Sequence, residues 1–257
     1  MVNNLAILRD KKPLVHCITN YVSMDITANT LLAVGASPAM IHTPEETTDF
    51  SKVVGAVTIN IGTLSPHWLK GMKNAINGAN QSNVPWVLDP VAHFATPYRN
   101  KATSELISLS PSIIRGNASE ILALDGAITE AKGVDSEDEV ETALEASKKL
   151  AVKNECIIII TGEVDLITDG TKVVRVSGGS EEMARVTAMG CSLTCLLGAF
   201  VAITDPMSAS INATTLFAEA GNRAHTLSHG PASFRMNFID QLAQISNNEF
   251  ASLNWAN

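Results

Sequence analysis

The sequence predicts an α/β protein in which a mostly parallel central sheet is covered by helices on both faces. Three observations lead there. Apolar residues make up 46% of the 257 and aromatics only 5%, so the core is built from Ala, Val, Ile and Leu, as in a buried parallel sheet. Short β-branched runs alternate with helical stretches along most of the chain, the pattern of repeated βαβ units. Cys156 is followed by four consecutive isoleucines, a run that suits a strand buried on both faces.

Taken in order, strands are expected at 14–18, 37–41, 56–61, 86–89, 113–115 and 156–161. Helices between them have readable starts. Thr43-Pro44-Glu45-Glu46 reads as a capping box with Pro at the first helical position. Ser65-Pro66 and Asp205-Pro206 repeat the cap-then-Pro pattern, and Ser136 precedes a helix whose Val140, Leu144 and Leu150 form an apolar stripe. Segments 165–168 and 173–176 flank Asp169-Gly170, a strong hairpin signal that makes one sheet edge antiparallel. After Gly190 the chain reads as helical to its end, through 191–203 and 207–228. The first of these is apolar nearly all round, so it is expected to be buried.

Charge narrows the partners. Lys and Arg number 18 against 26 Asp and Glu, a formal net charge of −8, which argues against nucleic acid or an anionic membrane as the partner. The opening MVNNLAILRDKK lacks an apolar core of signal-peptide length, and the longest near-apolar run, 191–203, is too short to span a bilayer. Cysteines 17, 156, 191 and 195 form no CxxC framework. A reduced, cytoplasmic chain is expected.

In an open α/β sheet ligands gather at the carboxyl ends of the strands. Those ends carry Asn20, Met40, Asn60-Ile61-Gly62-Thr63, Asp89-Pro90-Val91, Arg115-Gly116-Asn117 and Thr161-Gly162-Glu163. No P-loop and no GxGxxG follows a strand. Instead, Val186-Thr187-Ala188-Met189-Gly190-Cys191 leads directly into the apolar helix. A tight turn at a helix start offers free backbone N–H groups to an anion and lowers the pKa of a thiol placed there. The alternative is that Gly190 only allows close packing and Cys191 is a small core residue. His225 and His229 lie four apart without the Glu of HExxH, so a zinc hydrolase is not indicated.

The stretches VHCITNYVSMDITANT (15–30), GASPAM (35–40), NIGT (60–63), LDPV (88–91), IRGNASEI (114–121), ITGEVD (160–165) and VTAMGC (186–191) together resemble the hydroxyethylthiazole kinases. The resemblance runs from about residue 14 to PASF at 231–234. It implies one ribokinase-like three-layer α/β/α domain over residues 1–257, with a hairpin at one sheet edge and a helical C-terminal third. The implied reaction is transfer of the γ-phosphoryl group of ATP to the hydroxyl of 4-methyl-5-(2-hydroxyethyl)thiazole in thiamine salvage, with Mg²⁺, in a homotrimer. The other readings weighed are a ribokinase-like kinase of the hydroxymethylpyrimidine type and a non-catalytic thiazole or nucleotide binder.

By the same resemblance Met40, Asn20 and Ala188 contact the thiazole, and Arg115, Thr161 and Asn117 contact ATP. Asp89 and Glu120 organise the metal, Ala188 to Cys191 form an anion hole, and Cys191 is the catalytic residue. Each has a structural alternative: a core methionine for Met40, a loop cap for Asn20, an ion pair for Arg115, a turn residue for Asp89 and a capping box for Asn117 with Glu120. Two positions depart from the family pattern. Ala188 and Ala92 stand where it usually has Gly, and Met189 is expected to add bulk near the alcohol.

Overall fold

A computed structural model describes residues 3–126 and 137–253. Its strands are β1 (Leu14–Ile18), β2 (Ser37–Ala39), β3 (Ala56–Asn60), β4 (Trp86–Asp89), β5 (Ile113–Asn117), β6 (Ile157–Thr161), β7 (Val164–Thr168) and β8 (Val173–Ser177). They form one sheet in the order β2-β1-β3-β4-β5-β6-β7-β8. Pairings from β2 through β6 are parallel, and β7 and β8 add the antiparallel edge expected from Asp169-Gly170. The chain reverses its direction of winding at β1, so the crevice between the ends of β1 and β3 is where a ligand site is expected.

The helices are α1 (Asn4–Lys11), α2 (Met24–Val34), α3 (Thr47–Phe50), α4 (Pro66–Gln81), α5 (Pro97–Ile107), α6 (Ala118–Leu124), α7 (Glu137–Asn154), α8 (Met189–Val201), α9 (Pro206–Leu227), α10 (Pro231–Gln244) and α11 (Asn247–Ser252). Side-chain alternation along the strands divides the core in two. Ile157 and Ile159 of β6 pack with residues of α2, α8, α9 and α10, whereas Ile158 and Ile160 pack with residues of α4, α6 and α7. That division is the three-layer arrangement. Ser65 and Asp205 accept hydrogen bonds from the Trp68 and Ser208 amides and start α4 and α9 as their sequences predict. Among the described residues no helix is long and apolar enough to cross a membrane.

Helix α8 is buried over most of its length, as its all-apolar surface requires. A Cβ at Gly198 would lie 2.5 Å from Thr58 Cγ2 and 2.9 Å from Val15 Cγ1. Only glycine lets α8 approach β1 and β3 this closely, which sets its first turn over the strand ends.

Most boundaries agree with expectation to within two residues, and three differences bear on the site and its surroundings. Strand β2 ends at Ala39, so Met40 and Ile41 lie just beyond it, and β5 continues past Arg115 to Asn117. The segment 43–46 is a turn, and α3 begins only at Thr47, without a side-chain cap. The reason is tertiary: Asn74 on α4 donates to the Pro44 carbonyl at 2.9 Å, and Gly71 lies against the His42 carbonyl. Of the stripe on α7, Leu144 and Leu150 are buried; Ser136 and the side chain of Val140 lie outside the described residues.

Ala92 and Ala188, the two positions where the sequence resemblance implies glycine, adopt left-handed backbone, Ala92 at φ 47°, ψ 39° and Ala188 at φ 63°, ψ 17°. An L-residue loses about 1–2 kcal/mol there, while a glycine gives back roughly 0.5–1 kcal/mol through its freer unfolded chain. Ala92→Gly and Ala188→Gly are each expected to raise stability by up to about 1 kcal/mol in urea unfolding. Lower midpoints for both would contradict this reading of the two turns.

Candidate active site

Five elements end at one place. Asn20 follows β1, Asn60 ends β3, Asp89 ends β4, Arg115 lies on β5, and Cys191 and Thr194 lie on the first turns of α8. Their side chains form a continuous polar row. Asn20 Nδ2 donates to Asn60 Oδ1 at 2.8 Å and approaches Cys191 Sγ at 3.4 Å. Asn60 Nδ2 donates to Asp89 Oδ2 at 2.7 Å, and Thr194 Oγ1 donates to the same oxygen at 2.8 Å. Asn20 also accepts from the Val22 and Ser23 amides. The loop-cap reading of Asn20 therefore holds together with its place beside Cys191. Gly62 is required here, because a Cβ would fall 2.5 Å from the Asn20 amide nitrogen.

Arg115 closes the row. Its Nη1 lies 3.6 Å from Asp89 Oδ2, and Nη2 donates to Thr161 Oγ1 at 2.7 Å. The ion-pair reading of Arg115 thus holds, with Asp89 as its partner. The guanidinium packs against the start of α8, where a Cβ on Gly190 would lie 2.6 Å from two of its nitrogens. Its buried Nε has no hydrogen-bond partner among the described residues.

Asn117 and Glu120 form a complete capping box. Asn117 Oδ1 accepts from the Glu120 amide at 2.8 Å, and Glu120 Oε2 accepts from the Asn117 amide at 2.9 Å. Glu120 Oε1 accepts from the Ala92 amide at 2.9 Å, which ties the left-handed turn after β4 to the start of α6. No group of three or more His, Cys, Asp or Glu poised for a metal occurs among the described residues. The donors do fit a magnesium ion that takes most of its ligands from water and phosphate. Asp89 Oδ1 is fully buried without a partner among the described residues, and the Glu120 charge is close enough to raise the Asp89 pKa.

Burial pushes the Asp89 carboxyl up to about 6, against the opposing pull of Arg115. Burial, and then the Asp89 charge, also raise the Cys191 thiol, more than Asn20, Asn60 and Arg115 lower it. The expectation of a low-pKa thiol is therefore corrected: desolvation beside a carboxylate outweighs the helix start, and Cys191 stays protonated at neutral pH. Asp165, which accepts from the Gly162 amide at 3.0 Å, is raised by burial to about 6.

Met40 is half-buried against the core beyond β2. Met189 is buried in the core itself, packed with apolar residues. Ala188 precedes α8, whose first amides are the free N–H groups of a helix start. Of the row, the sequence placed Asn60 at a strand end without assigning it a role, and it did not single out Thr194. The position of Asn60 at a strand end was a signal. The spacing of Thr194, three residues beyond Cys191 on a helix, was another.

The sheet order, with its crevice at β1, is the three-layer α/β/α fold that small-molecule kinases share. A pyridoxal kinase structure from Staphylococcus aureus in complex with ADP shares this fold, with a TM-score of 0.64 at 16% identity, over 82% of this chain and 88% of that one. The profile described as the Hydroxyethylthiazole kinase family matches residues 5–248, and the chain belongs to that family. A hydroxyethylthiazole kinase from Gemmatimonas aurantiaca is 58% identical over 94% of this chain and 87% of its own length. A hydroxyethylthiazole kinase structure from Pyrococcus horikoshii superposes with a TM-score of 0.90 at 37% identity, over 98% of this chain and 96% of that one.

A buried histidine on β1 yields a pH prediction. His16 is fully buried and donates from Nε2 to the Ile41 carbonyl at 2.7 Å, and burial pushes its pKa down from 6.5 to about 4. As pH falls the unfolded chain takes the proton first. The stabilisation is complete above pH 6.5 and is lost as pH falls through 4, about 3 kcal/mol in all. Asp89 and Asp165, raised by burial, pull the other way, so the measurement is a difference. In urea unfolding, the stability of the wild type relative to His16→Gln should shrink across that window. A pH-independent difference would show that His16 does not titrate as its burial requires.

Proposed function

We propose that the chain transfers the γ-phosphoryl group of ATP to the primary hydroxyl of 4-methyl-5-(2-hydroxyethyl)thiazole. The observation that carries this reading is the row Cys191–Asn20–Asn60–Asp89–Thr194, closed by Arg115 under the start of α8. Phosphoryl transfer needs positioning and charge neutralisation more than a strong base, and this row supplies both.

Arg115 and Thr161 face the ATP phosphates, and Asn117, whose Oδ1 caps α6, offers its amide nitrogen beside them. Backbone N–H groups from Ala188 to Cys191 receive the transferring group, where the helix start favours negative charge. Asp89 and Glu120 would hold Mg²⁺, which neutralises charge on the phosphate oxygens when bound. The thiazole packs on the Met40 thioether, a soft partner for a sulfur heterocycle, with Asn20 and Ala188 at its other side. Cys191 orients the hydroxyl as a neutral thiol. Its raised pKa makes positioning, rather than proton abstraction, its part.

The family resemblance supports a homotrimer, and four free cysteines support a reducing, cytoplasmic setting. One ribokinase-like domain over the whole chain is part of the same proposal.

The test is ADP release with Mg²⁺ and ATP in the presence of hydroxyethylthiazole, of hydroxymethylpyrimidine, or of no acceptor. Turnover is expected with the thiazole alcohol. Turnover with the pyrimidine alone would replace this reading, and binding without turnover would make the chain a binder. Cys191→Ala should retain measurable turnover, falling less than about a hundredfold, the lower bound for losing a general base. Cys191→Asp should match or exceed the wild type. A folded Ala variant without any turnover would assign Cys191 an essential proton-transfer role.

A further inference from the structure

Arg99 lies outside the polar row, on the first turn of α5, and the row leans on it. The side chain reaches across to the strand ends and donates to three carbonyls. Nη1 bonds the Ile61 oxygen at 2.7 Å and the Val91 oxygen at 2.9 Å, and Nη2 bonds the Gly62 oxygen. The helix that carries it is fixed by Thr96, which accepts from the Arg99 amide at 3.3 Å, and by Pro97 at its first position.

Each loop that Arg99 holds carries part of the site. Gly62 donates its amide to Asn60 Oδ1 at 2.8 Å and lies flat against the Asn20 side chain, which in turn touches Cys191. Val91 precedes Ala92, whose amide bonds Glu120 Oε1, and follows Asp89 by two residues. One guanidinium therefore fixes the distance between the acceptor side of the site, at Asn20 and Cys191, and the phosphate side, at Asp89 and Glu120. A planar fork with donors fixed in direction can bridge two loops in this way, whereas a single ammonium centre cannot. Carbonyls after β3 and β4 have no further strand to pair with, and the guanidinium satisfies them.

We propose that Arg99 is a positioning residue for phosphoryl transfer: it clamps the loops after β3 and β4 in register, so that the acceptor hydroxyl lies in line with the transferring phosphate. It touches neither substrate. The inference rests on the kinase reading above.

The test uses the full chain with Arg99→Ala and Arg99→Lys, checked for folding by circular dichroism. For Arg99→Ala, kcat with hydroxyethylthiazole should fall on the order of a hundredfold, the cost of a misplacement near 1 Å. The KM for ATP should stay within about threefold, because the ATP-facing side chains of Arg115 and Thr161 remain. Free guanidinium at millimolar, non-denaturing concentration should restore part of kcat in the Ala variant and none in the wild type, by filling the three-carbonyl nest. Arg99→Lys should fold and keep most of the defect.

A folded Arg99→Ala or Arg99→Lys with wild-type kcat would overturn the proposal. A loss that guanidinium does not relieve, or that falls wholly on the KM for ATP, would also overturn it. If the Ala variant fails to fold, Arg99→Lys carries the test, and failure of both to fold would reduce Arg99 to a stability residue. A wild type inert toward the thiazole alcohol would defeat the kinase reading instead, so the two failures are distinguishable.

Discussion

A carboxylate with no solvent exposure at the end of β4 is the constraint around which the site is built. Asp89 is fully buried, and an ion there is costly unless neighbours replace the lost water. Oδ2 meets Asn60, Thr194 and, at longer range, Arg115, while Oδ1 has no partner among the described residues. Each partner comes from a different element, β3, α8 and β5. The carboxylate thus ties three elements together at the point where the chemistry is proposed. Its raised pKa records that burial exceeds what the partners return.

The same surroundings explain the state of Cys191. A thiol at a helix start is expected to be acidic, but this one is partly buried and close to a negative charge. Both effects disfavour the thiolate. A neutral thiol hydrogen-bonded by Asn20 is suited to holding an alcohol in place. That agrees with a reaction whose barrier is lowered mainly by alignment and charge neutralisation.

Precision at the strand ends comes from backbone contacts as much as from side chains. Gly62, Gly190 and Gly198 each stand where a Cβ would overlap a neighbour at 2.6 Å or less. Glu120 and Arg99 hold the intervening loops through backbone amides and carbonyls. The turn after β4 and the turn before α8 accept left-handed alanines, so their geometry is kept by these contacts even without glycine.

Much of this was legible in the amino-acid order. The isoleucine run of β6, the hairpin at Asp169-Gly170, the caps at Ser65 and Asp205 and the burial of α8 follow from local chemistry and hydrophobic period. These act over a few residues and need no distant partner. The strand-end motifs identified Asn20, Asp89, Arg115 and Thr161, and the turn into the apolar helix added Cys191. What tertiary structure alone decided depends on residues far apart in sequence. The turn at 43–46 replaces a capped helix because α4 takes its carbonyl. Met189 turns out to lie in the core, and the thiol rises in pKa through burial and then through the charge of Asp89, about a hundred residues away in the chain. Arg99 gained a role because three carbonyls converge on it. Sequence specifies which groups are available and where helices and strands start. Distance, desolvation and the direction of a hydrogen bond exist only once the sheet has brought its ends together.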